Sequence, residues 1–129
     1  MCKSQKGYLM IRMLAITLLL ATPVSAAADK AFKKCKACHS IEEGGKNGTG
    51  PNLWNVMNRG TGQVEGYKYS NKFLKWAEEN PVWTVELMDQ WLTNSKKMIK
   101  GTKMNYREKK EEKRAEIIEY LQSMGETTE

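Results

Sequence analysis

The sequence predicts an all-α domain, and three observations predict it. Apolar residues return at helical spacing in short stretches after residue 28, bounded by capping and breaking residues. No strand-rich βαβ pattern accompanies them. Two irregular stretches, 41–66 and 94–105, are longer than ordinary connections in so small a domain. Loops of that length make sense if they wrap something.

What they would wrap is indicated by Cys35-Lys36-Ala37-Cys38-His39. C-x-x-C-H is the signal for covalent haem attachment. Two thiols three positions apart can each add to one vinyl group, and the His that follows is carried under the iron as an axial ligand. The same residues could be a thioredoxin-like thiol pair or half of a zinc site. Zinc would need two more ligands, yet the only other Cys is Cys2 and no second His exists. A thioredoxin-like pair would sit beside a βαβ pattern.

The elements follow in order. Residues 28–38 read as a short helix, with Asp29 in its first turn, Phe32 turned inward and Lys30, Lys33, Lys34 and Lys36 in solvent. The stretch 41–66 is rich in Gly and Asn, but Leu53, Trp54, Val56 and Met57 give it apolar anchors. Ser70 caps a helix over 71–79, with Phe73, Leu74 and Trp76 as apolar members, and Asn80-Pro81 ends it. Thr84 caps another, to about Thr93, whose face is Leu87, Met88, Trp91 and Leu92. The last helix runs from about Glu108 to Met124 and stops at Gly125. Ile117, Ile118, Leu121 and Met124 form its buried stripe, with Ala115 beside it, and its other face is charged.

A chain of 129 residues suits one domain. Residues 1–26 read as a secretory signal peptide: Lys3, Lys6 and Arg12 are basic, 13–20 is apolar, Pro23 breaks it, and small residues offer cleavage after Ala26. The domain is then 27–129. The apolar run is short against the roughly 20 residues of a membrane span, which disfavours an uncleaved anchor. Without Lys3, Lys6 and Arg12, the 21 basic residues fall to 18 against 15 acidic, a formal charge of about +3. That is too little to argue for nucleic-acid binding. A mean hydropathy of −0.63 suits a soluble protein.

His39 is the only His, so two His ligands within one chain are impossible. A thioether in the sixth position suits ferrous iron and raises the potential. Met88 and Met124 fit helical core faces, and Met57 is close to the attachment stretch. Met104 is the first candidate and Met98 the next, since both lie in an irregular stretch between packing helices. Gly101 lets the backbone turn sharply, and Thr102 can donate a hydrogen bond to a propionate.

Together these stretches resemble class I c-type cytochromes, the group of mitochondrial cytochrome c and its soluble bacterial relatives. The resemblance spans the whole mature chain. It is carried by Phe32-x-x-Cys35-x-x-Cys38-His39, Gly50-Pro51-Asn52-Leu53-Trp54, Arg59-Gly60-Thr61-Gly62-Gln63, Gly66-Tyr67-Lys68-Tyr69-Ser70, the Trp83 region, Gly101-Thr102-Lys103-Met104 and the helix from Arg114 to Leu121. It implies a small cytochrome c fold, with crossing terminal helices and loops wrapped around one covalently bound haem c and its iron. His39 and Met104 would be the axial ligands and Cys35 and Cys38 the attachment points. Pro51 would offer its carbonyl to His39 Nδ1. Tyr69, Trp83, Thr102 and Arg59 would hold the propionates, Trp91 would pack near Met104, and Tyr120 would pack around Ala28 and Phe32.

There are departures. Ala28 stands where the family usually has Gly, which questions how closely the terminal helices cross. Ser95 and Lys100 stand where Pro is common, which predicts a less rigid Met104 loop and easier replacement of Met104 by a Lys at high pH. Tyr106 stands where Phe is frequent.

The implied function is a soluble, monomeric, periplasmic mono-haem electron carrier, not an enzyme, cycling Fe(II)/Fe(III). Its donor would be a membrane cytochrome bc-type complex and its acceptor a terminal oxidase or reaction centre, with only transient membrane association. Lys33, Lys34, Lys36, Lys46, Lys96, Lys97, Lys100 and Lys103 would steer acidic partners if they ring the haem edge. The competing function is a haem-based gas-binding protein or weak peroxidase with an open distal site.

Overall fold

The computed structural model of the chain describes residues 26–125. The expected leader lies outside them, apart from Ala26, which opens the first helix. Five α-helices form among the described residues: α1 (Ala26–Phe32), α2 (Asn71–Glu79), α3 (Val85–Thr93), α4 (Ser95–Met98) and α5 (Glu111–Ser123). They hold no strand, and one isolated bridge pairs Gly60 with Val82.

Local chemistry sets the helix starts. The Ser70 side chain accepts from Phe73 N–H at the start of α2, and Thr84 Oγ1 from Leu87 N–H at the start of α3. Each satisfies one of the donors that a helix start leaves unpaired. Two boundaries differ from the sequence reading, for tertiary reasons. The first helix ends at Phe32, and the motif itself forms a tighter 3₁₀ turn over Cys35–Ala37. The last helix begins at Glu111, because Glu108 N–H is drawn to Leu92 O at 2.9 Å and its backbone leaves the helical path. One turn of helix, α4, lies inside the stretch expected to be irregular, capped by the Asn94 side chain on Lys97 N–H.

The terminal helices cross: α1 packs on α5, and α5 also packs on α3. Ala28 and Phe32 are fully buried at the crossing, and Phe32 stacks on Tyr120 with centroids 4.5 Å apart. The Ala28 methyl is therefore accommodated where the family pattern favours glycine. Arg114 Nε meets Asp89 Oδ1 at 2.6 Å, tying α5 to α3. Ile117, Ile118, Leu121 and Met124 form the buried stripe as expected, whereas Ala115 and Leu74 are exposed.

Because α1 and α5 meet at a residue with no exposed area, enlargement there must be destabilising. Ala28→Leu is expected to cost about 1–3 kcal/mol by overpacking. Ala28→Gly should cost less, about 0.5–1 kcal/mol, from helix-interior backbone entropy. Denaturant unfolding of the holoprotein checks both.

Candidate haem site

The helices and loops enclose a cavity of about 460 Å³, within the range of cofactor sites. Phe32, Leu53, Val56, Phe73, Trp91 and Leu121 supply much of its apolar wall. All nine site residues predicted from the sequence line it: Cys35, Cys38, His39, Pro51, Arg59, Tyr69, Trp83, Thr102 and Met104. Among the methionines, Met88 also borders it, while Met98 and Met57 do not.

The turn after α1 positions the motif. Cys38 N–H and His39 N–H both donate to Cys35 O, at 3.1 and 3.0 Å. This folds the two thiols and the imidazole onto one side of a single turn. Burial pushes the Cys35 thiol up to about 11.

The following loop then fixes the imidazole. His39 Nδ1 lies 2.7 Å from Pro51 O, so the ring donates there and Nε2 is the nitrogen left for a metal. Gly50 lies flat on the ring, where any Cβ would penetrate its van der Waals envelope. Gly50 N–H returns to Cys38 O at 2.8 Å and Leu53 N–H to Ser40 O at 2.8 Å.

Asn52 holds that loop together, a role sequence reasoning missed. It is buried, and its Nδ2 faces Ser40 Oγ at 2.8 Å, Glu42 O at 2.8 Å and Gly45 O at 3.2 Å. Its Oδ1 accepts from Trp54 N–H at 2.7 Å. The available signal was its place in Gly50-Pro51-Asn52-Leu53-Trp54.

Arg59 is half-buried. Its guanidinium donates to Trp54 O at 2.8 Å and also to Asn52 O. Burial holds it below its ordinary value, with the neighbouring Tyr69 acting the other way. No carboxylate pairs with it among the described residues. A half-buried cation without a carboxylate partner at a largely apolar cavity is suited to an anion on the bound group. Tyr69 stacks on Phe73 at 5.1 Å, and Phe73 reaches Trp91 at 5.7 Å, which stiffens this wall.

The donor set therefore fits haem: two thiols, one imidazole with its second nitrogen occupied, a thioether, apolar walls and a half-buried cation. Comparison with known proteins decides the family. The cytochrome c family model matches residues 25–125. The chain belongs to the cytochrome c family. It is 38% identical over 95 residues to cytochrome c-550 of Ancylobacter novellus, covering 73% of this chain and 89% of that protein. It is 39% identical over 89 residues to cytochrome c of Kluyveromyces lactis, covering 68% and 78%. It is 43% identical over 79 residues to cytochrome c2 of Agrobacterium tumefaciens (strain II Chrys), covering 61% and 71%. The cofactor of this cytochrome is one covalently bound haem c with its iron, and its function is electron carriage.

Burial lowers the His39 value, only partly offset by the Pro51 hydrogen bond. The folded state thus prefers the neutral ring, the form a metal also requires.

Asn52→Ala should cost about 1–3 kcal/mol or more, since it strands several buried groups at once. Denaturant unfolding of the holoprotein, with the haem spectrum as reporter, measures it.

Proposed function

We propose that this cytochrome is a soluble, monomeric carrier of single electrons in the compartment outside the cytoplasmic membrane, and not a catalyst. The observation that carries the reading is one apolar cavity bordered by both the Cys35–His39 turn and Met104. The haem, when bound, supplies a one-electron Fe(II)/Fe(III) couple. Cys35 and Cys38 attach it. His39 and Met104 would hold the iron, and the Pro51 carbonyl on Nδ1 would make His39 a stronger donor. Arg59, Tyr69, Trp83 and Thr102 receive the propionates. An iron held by both His39 and Met104 would leave no open position for a substrate, which favours the carrier over the gas-binding or peroxidase reading.

The charge pattern supports the docking reading. Lys33, Lys34, Lys36, Lys46, Lys96, Lys97, Lys100 and Lys103 are all exposed, and Lys34 and Lys103 border the cavity. They would steer acidic faces of a membrane cytochrome bc-type donor and of a terminal oxidase or reaction-centre acceptor. Residues 1–26 would act as the signal peptide that delivers the chain to that compartment, with 27–129 as the mature domain.

A redox titration with visible spectroscopy tests the assignment. The expected result is a single reversible couple well above zero and low-spin spectra in both states. Ferrous protein at neutral pH should refuse carbon monoxide. Met104→Leu should abolish the sulfur-to-iron charge-transfer band of the ferric form and lower the potential, whereas Met88→Leu should keep both. Carbon monoxide binding in the unaltered protein would move the gas-binding reading to the front.

A further inference from the structure

We propose that Ser95 is the positioning residue for Met104. Its hydroxyl holds the ligand's backbone carbonyl and closes the base of the ligand loop. This inference rests on the reading of Met104 as an axial ligand.

Ser95 is among the most deeply buried residues of the described chain, with 0% exposure, and it is a polar one. It opens α4 beside the Asn94 cap. Its N–H and its hydroxyl are both spent on the segment that carries Met104, while its carbonyl accepts from Ile99 N–H at 3.0 Å. Ser95 N–H donates to Tyr106 O at 3.1 Å. Ser95 Oγ accepts from Tyr106 N–H at 2.9 Å. Its hydroxyl proton has two acceptors in reach, Met104 O at 3.0 Å and Tyr106 O at 3.3 Å. Tyr106 O already receives the Ser95 amide, and Met104 O is the nearer of the two. The proton therefore belongs on Met104 O.

The geometry closes a loop from 95 to 106, with Met104 just inside the closure. A second bond, from Glu108 N–H to Leu92 O at 2.9 Å, lies further down the same neck. Within the loop, Lys96 Nζ donates to Thr102 O, and the turn at Gly101 has a φ of +90°. Proline, common at this position in the family, has neither the N–H nor the hydroxyl and could make none of the Ser95 bonds to Met104 and Tyr106. The serine does not leave this loop slack; it replaces a stiff ring with three directed hydrogen bonds, one of them on the ligand residue itself. A buried bond of this kind costs more to break than it contributes when made, because its partners are left unpaired.

The test uses the ferric holoprotein and imidazole as the competing ligand, read by the sulfur-to-iron charge-transfer band. Ser95→Ala should raise apparent imidazole affinity roughly ten-fold or more, since loop opening precedes exchange. Ile118→Val, a core truncation on α5 that does not border the cavity, should leave imidazole affinity within about two-fold of the parent. A second measurement needs no variant. Coupling is reciprocal, so displacing Met104 with imidazole should speed amide hydrogen exchange at Tyr106 more than at Leu121.

Equal effects of Ser95→Ala and Ile118→Val would reduce Ser95 to general stability and overturn the proposal. So would a Tyr106 amide that ignores Met104 displacement, which decides the matter if Ser95→Ala fails to take up haem. If Met104→Leu keeps the charge-transfer band, the ligand assignment itself is wrong and the role of Ser95 goes with it. If Met104→Leu loses the band but Ser95→Ala leaves imidazole affinity unchanged, the assignment stands and only the role of Ser95 is overturned.

Discussion

The structure depends on a constraint that its own side chains do not fully satisfy: the apolar residues pack on each other and also converge on a space. At about 24 cal/mol per Å³, a void of 460 Å³ would cost on the order of 10 kcal/mol. That equals the whole stability of an ordinary domain, about 5–15 kcal/mol. The cofactor is thus the centre of the core, and the helices are its casing. This explains how the described residues, with only three helices longer than two turns (α2, α3 and α5), can hold two long loops in place. Loops that would be liabilities elsewhere have an apolar surface to lie on.

Rigidity on the His39 side comes from a nested set of hydrogen bonds. The turn at Cys35 aims the ring, Pro51 O fixes its tautomer, and Gly50 permits the contact by having no side chain. Asn52 and Arg59 then hold the loop that carries Pro51 and Gly50. On the Met104 side the corresponding work is done by the neck of the 95–106 loop. The two sides differ in kind. One is fixed by a dense polar network and a glycine contact, the other by a few bonds at a closure, so ligand exchange is expected to be a property of the Met104 side.

The lysines divide in a way their spacing did not reveal. Lys36 pairs with Asp29 at 2.9 Å and lies over the Tyr120 ring, 5.4 Å from its centroid. Lys96 and Lys103 are tied to the carbonyls of Thr102 and Lys68. These three are held in fixed places near the terminal-helix crossing and the Met104 loop.

Much of this was legible in the residues. The attachment motif, the caps at Ser70 and Thr84, the buried stripe of α5 and the stop at Gly125 are local signals: spacing, a hydroxyl before an apolar run, a period of 3.6, a glycine able to take φ of +87°. Such signals act over a few residues, so a sequence carries them in plain form. The nine residues expected at the site, several of them from the family resemblance alone, line one cavity. What the residues could not decide were matters of long-range closure. The start of α5 moved because Leu92 O, far off in sequence, captured Glu108 N–H. Asn52 and Ser95 looked like ordinary loop polar residues until folding buried them among unpaired backbone groups. By itself the sequence determined the haem chemistry and the helical class. Only the tertiary structure decided how the loops are tied, because a hydrogen bond between segments depends on which groups burial strips of water, and burial is a property of the assembled core.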